Sequence, residues 1–155
     1  MDVVSEVIST LREMGVLVDT AVVSMAFYPN VIIRLGYGDA KVEITVDNDK
    51  YSVEAGPNYD LAPPVTDPKR RPLPFKVFAY GSTLRDAINM LRKEVINLYV
   101  RASKELYSIE TFTYEMRSMF YADISDELSA TRTAIWDLVT FMNLKDDAKR
   151  ALANS

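Results

Sequence analysis

Apolar residues recur at two different periods along this chain, and the change from one to the other divides it. Between residues 3 and 14, Val4, Val7, Ile8, Leu11 and Met14 fall three or four apart, the spacing of a helix with one apolar stripe. Asp2 stands where an N-cap carboxylate would accept free amides, and Gly15 where a left-handed residue would end the helix. From Val16 the period drops to two, as in half-buried strands.

The turns in this second stretch set a register. Gly38-Asp39 predicts a two-residue hairpin loop with glycine first, as a type II' turn prefers. Residue 37 then faces residue 40, and Leu35, Ile33 and Val31 meet Val42, Ile44 and Val46. Asn48-Asp49 predicts the next such loop, with Val46, Ile44 and Val42 opposite Tyr51, Val53 and Ala55. A slip of one residue would break every match, because it sends each side chain to the other face. A three-residue loop, Tyr28-Pro29-Asn30, sets Phe27, Met25 and Val23 against Val31, Ile33 and Leu35. The result is a four-stranded antiparallel meander, and Phe75 to Tyr80 predicts a fifth strand.

After Gly81 the helical period returns. Thr83 with Asp86 resembles a capping box, and Leu84, Ile88, Leu91, Val95, Leu98 and Ala102 follow in a seam of alternating four and three. No glycine or proline occurs from Ser82 to Ser155, so this part lacks the usual breakers. Unbroken to Tyr121, the helix would span roughly 58 Å at about 1.5 Å per residue. Either it breaks near Tyr107 to Thr113, or it projects and pairs with another chain. Asp123 or Ser125 could cap a further helix carrying Leu128, Ile135, Leu138, Val139 and Met142, and a weaker pattern begins at Lys145.

The predicted fold class is therefore α+β: an N-terminal helix packed on a four- to five-stranded antiparallel meander, followed by a C-terminal helical region with one long helix. Residues 1–81 form the sheet unit, with a proline-rich basic loop at 56–74. Residues 82–155 form a helical oligomerisation segment and predict a homodimer, since they carry more large apolar and aromatic side chains than one hairpin interior needs. This order of elements looks broadly like that of several small binding proteins, including some archaeal single-stranded-DNA-binding proteins. It is a likeness of architecture that no residue motif carries, and it assigns no family.

Composition narrows the chemistry. With 48% hydrophobic and 26% charged residues the chain is that of a globular protein. Cysteine and histidine are both absent, which removes disulfides, thiolate and serine-histidine nucleophiles, and the usual zinc sites. No stretch approaches the ~20 apolar residues needed to span a bilayer, so a soluble, cytoplasmic, membrane-free protein is expected. The Gly-x-Gly at 36–38 lies between strands and not before a helix, so it predicts no phosphate loop. A non-catalytic protein without cofactor or metal is the expectation.

Two groups of residues are candidates for function. On the outer face of the meander, the register lines up Ser24, Arg34, Glu43 and Glu54. Facing glutamates repel unless a cation bridges them; Arg34 can do so as a plain ion pair, and a metal or an acid-base pair is the alternative. The other group follows from the single basic triplet. Lys69, Arg70 and Arg71 stand in a segment braced by six of the seven prolines, which favours an extended backbone. In the strand that follows, Lys76, Phe78 and Tyr80 share one face, and Arg34 or Tyr37 could join them. Aromatics beside cations suit single-stranded nucleic acid, with bases stacked on rings and phosphates on the flank. The chain's net charge of -4 works against a polyanion. A protein partner, with the chain as adaptor or assembly protein, is the competing expectation.

Overall fold

The computed structural model describes residues 2–60, 71–120 and 125–155, without the side chains of residues 107–125. Helix α1 (Val3–Glu13) begins at Asp2, whose side chain accepts a hydrogen bond from the Ser5 N–H at 2.7 Å. It ends at Gly15, held at φ +82°, and a short 3-10 turn (Val18–Thr20) leads to the sheet. Five antiparallel strands follow, β1 (Val22–Ala26), β2 (Val31–Tyr37), β3 (Ala40–Asp47), β4 (Lys50–Pro57) and β5 (Val77–Gly81), and they lie in the sheet in chain order. Helices α2 (Leu84–Phe120), α3 (Ser125–Phe141) and α4 (Lys145–Ala153) complete the α+β fold.

The predicted register is present in all three hairpins. Val31, Ile33, Leu35 and Tyr37 pair with Val46, Ile44, Val42 and Ala40, and Ile44 and Val42 pair with Val53 and Ala55. Both two-residue loops use left-handed backbone: Gly38 at φ +54°, and Asn48 and Asp49 at φ +47° and +66°. Met25 and Val23 pair with Ile33 and Leu35, but β1 stops at Ala26, so the expected Phe27–Val31 pair does not form. The connection carries a cis Tyr28–Pro29 peptide bond.

One face of the sheet is covered. Ile33, Leu35, Val42, Ile44, Val53, Ala55 and Ala79 are buried there, and the α2 seam of Leu84, Ile88, Leu91, Val95, Leu98 and Ala102 is buried as well. The seam therefore packs within the chain, with α2 on β4 and β5 and α3 on β2, β3 and β4. It is not free for a coiled coil with another copy. The helix does not break at Tyr107 to Thr113: its 37 residues run on to Phe120, about 56 Å at about 1.5 Å per residue. Leu128, Ile135, Leu138 and Val139 of α3 and Met142 just past its end are buried as the pattern predicts, and one cluster of buried side chains runs from Val7 to Ala148.

Polar contacts between distant segments fix how these layers meet. Arg92 on α2 donates from Nη2 to the carbonyls of Met14, past the end of α1, and of Met142, past the end of α3, the latter at 3.3 Å. A helix leaves its last carbonyls unpaired, and one guanidinium answers both ends. Asp137 on α3 accepts from the Asp39 N–H at 2.8 Å, and Asn58 donates from Nδ2 to the Gly38 carbonyl at 3.1 Å. A side chain at Gly38 would collide with the Asp137 carboxylate, so position 38 needs glycine for its space as well as its φ.

Burial pushes the Asp137 carboxyl above its ordinary 3.8, against the lowering effect of the Asp39 N–H. A carboxyl that binds its proton more tightly when folded loses stability as pH rises from its unfolded value through its folded one. In D137N the amide oxygen can still accept from Asp39 and nothing ionises. Urea unfolding across the carboxylate range to neutrality should therefore show the stability difference moving in favour of D137N as pH rises. Neighbouring positions on α2 give a second check: Leu91→Ala should cost about 2–5 kcal/mol, while Met90→Ala, on the exposed side, should stay within about 0.5 kcal/mol.

Candidate nucleic-acid interface

Parity carries side chains to the outer face of the sheet, away from α2 and α3. Arg34 pairs across to Glu43, Glu43 to Glu54 and Glu54 to Phe78, while Thr45, Ser52 and Tyr80 form the next row. No described helix lies over these rows. Phe78 is 49% exposed and Tyr80 65% exposed, and both rings belong to β5, the edge strand hydrogen-bonded to β4. Rings of this size are normally covered when a second helical layer is available. Here every sheet-packed helix went to the other side.

The charges on this face are arranged in pairs. Arg34 donates from Nε to Glu43 Oε2 at 3.0 Å, and Lys76 Nζ lies 3.0 Å from Glu54 Oε1. The facing glutamates are thus each paired with their own cation, Glu43 with Arg34 as expected and Glu54 with Lys76 rather than with Arg34. Among the described residues no group of three or more acidic side chains is gathered to hold a metal. Lys76 also sits 5.4 Å from the centre of the Phe78 ring, so it touches a carboxylate and a π-face together. Lys41, on the same face, donates to Asp60 Oδ2 at 2.8 Å. That hydrogen bond, with the Lys41 charge and a smaller contribution from Arg34, holds the Asp60 carboxyl below its ordinary 3.8.

Of the expected residues, the structure gathers Arg34, Lys76, Phe78 and Tyr80 on one face. Arg34 stands three strands from Phe78, about 14 Å at roughly 4.8 Å per strand. Arg71 lies beyond the Pro57 end of β4, its guanidinium 5.9 Å from the centre of the Tyr59 ring. Tyr59 donates its hydroxyl to the Pro72 carbonyl at 2.6 Å, which ties the start of this segment to its end. Lys69 and Arg70 lie outside the described residues.

Tyr37 does not belong to this interface. It shares the parity of Ile33 and Leu35, so its ring turns inward and stacks on Phe141 of α3, with centroids 5.3 Å apart and planes at 27°. The reason was available in the register: a residue paired with Ala40, whose side chain is buried, cannot share a face with Arg34. Lys41 was missed for a related reason, since its parity with Glu43 already placed it outward. Tyr59 had no local signal, because its position depends on where the segment after residue 70 returns.

Comparisons with protein-family models, with curated proteins and with solved structures find no match for this chain, so the chemistry of the face has to speak through its own residues. Tyr37→Ala should reduce stability by about 2 kcal/mol or more through lost stacking and burial. It should leave oligonucleotide affinity, measured by fluorescence anisotropy, where it was.

Proposed function

We propose that the chain is a soluble, cytoplasmic, non-catalytic binding protein that takes single-stranded nucleic acid on the outer face of its sheet. Bases stack on Phe78 and Tyr80, and phosphates meet Lys76, Arg34 and the basic segment of Lys69, Arg70 and Arg71. The observation that carries this reading is a pair of aromatic rings standing exposed on a face free of described helices, with a lysine against one of them. Stacking on such rings tolerates any base and supplies about 1–3 kcal/mol each, enough to offset part of the handicap of a net charge of -4.

The ion pairs shape what kind of binding this is. A phosphate that reaches Lys76 or Arg34 competes with Glu54 or Glu43 for the same cation, so affinity depends more on the rings than on charge. A second reading takes support from that same neutralisation. Partner-binding surfaces on proteins are rich in aromatics and poor in net charge at their centres, so an adaptor or assembly role with a protein on this face is the alternative.

Anisotropy titrations with a labelled single-stranded oligonucleotide at low salt separate the two. Phe78→Ala and Tyr80→Ala should each weaken binding roughly 5-fold or more, and Glu54→Gln should strengthen it by freeing Lys76. Affinity should fall with added salt, with a shallower slope when Lys69, Arg70 and Arg71 are replaced by alanine. No binding at low salt, or indifference to both aromatic substitutions, would overturn the nucleic-acid reading and leave the protein partner.

A further inference from the structure

The sheet has two edges, and they are built differently. At one edge β5 is introduced by Pro72, Pro74 and Lys76 and lies under α2. At the other, β1 pairs only with β2, so one row of its backbone amides and carbonyls faces outward. Folded proteins usually protect such an edge with charge, with proline inside the strand, or with a covering element. β1 has none of these among the described residues. From Thr20 to Ile33 the sequence holds no Asp, Glu, Lys or Arg, in a chain where charged residues make up 26%.

The same strand is apolar and open on both sides. Val23 and Met25 share the inner face with Leu35 and Ile33, their fully buried partners, yet Met25 is 46% exposed and Val23 is exposed too. The helices explain this, since α2 and α3 lie over β2 to β5 and stop short of β1. Val22 is exposed on the outer side, and the loop that follows adds Phe27 at 65% and Tyr28 at 91%. At about 150–250 Å² per aromatic side chain, this strand and loop present on the order of 500 Å² of apolar surface. That is at the upper end of what a monomer ordinarily leaves in one place and most of the roughly 800 Å² per partner that a stable interface needs.

We propose that β1 is the interface between two copies of this chain, joined edge to edge as antiparallel strands so that two five-stranded sheets become one. The occupant is argued from self-complementarity. A two-fold axis through Ser24 sets Val23 beside the second copy's Met25 on the inner side, and Val22 beside the second copy's Ala26 on the outer side. No like charges meet, because the strand has none, and each inner apolar side chain gains an apolar neighbour. A charged peptide would find no counter-charge on this edge. The interface is isologous, so it closes at two copies and exposes no further edge of the same kind. It is a different surface from the one expected to join C-terminal helices, most of whose large apolar side chains, at 107–121, lie outside the described side chains.

The test is molar mass by light scattering and sedimentation equilibrium, with circular dichroism to confirm folding. The wild-type chain should run at twice its 17.5 kDa, and Met25→Lys and Val23→Lys should return it to one. Met90→Lys, at an exposed site on α2, should leave the dimer intact. Because the chain has no cysteine, Ser24→Cys supplies a single thiol that should cross-link two copies on mild oxidation, as neighbouring antiparallel strands bring facing Cα atoms to about 4.5–5.5 Å. If the lysine variants fail to fold, the cross-link decides. A monomeric wild type, a dimer indifferent to both folded lysine variants, or a Ser24→Cys protein that stays uncross-linked would each overturn the proposal.

Discussion

The contact on which the rest depends is α2 lying along one face of the meander. A sheet whose strands alternate apolar and polar side chains has only one face to bury, and in this chain that face receives the seam from Leu84 to Ala102 together with the buried stripe of α3. All the sheet-packed helices go to the same side. The opposite face, with Phe78 and Tyr80, is left uncovered by any described helix for that reason, and the inner side of β1 is left open because the helical layer ends before reaching it. Both candidate surfaces follow from a single packing choice.

Local features made most of the fold legible. Two-residue loops at Gly38-Asp39 and Asn48-Asp49 leave one consistent register, and parity then assigns every strand side chain to a face. Asp2, Gly15 and Thr83 mark helix ends through contacts within three residues or through one backbone angle. What could not be read is what depends on distant segments. The α2 seam has the spacing of a coiled coil, and spacing alone does not say whether its partner is a sheet or another helix. Tyr37 reads as an exposed aromatic near a turn until Phe141, more than a hundred residues away, supplies the ring that stacks on it. The Arg92 contacts carry no motif at all.

On the outer face electrostatics and packing play different parts. Three of its cations are engaged, Arg34 with Glu43, Lys41 with Asp60 and Lys76 with Glu54. Exposed pairs of this kind contribute little to stability, so they can exchange partners at small cost. The rings, by contrast, are held on a hydrogen-bonded strand and lose little freedom when something stacks on them.

The clasp made by Arg92 has a consequence for how the molecule is made. It joins carbonyls at positions 14 and 142 through a side chain at position 92, and the Leu17 N–H donates to the Phe141 carbonyl at 3.0 Å. The end of the first helix thus depends on partners more than a hundred residues further along the chain. Without them its apolar stripe has no finished surface to settle on, so the seat of this helix is completed by residues from the far side of the sheet in sequence.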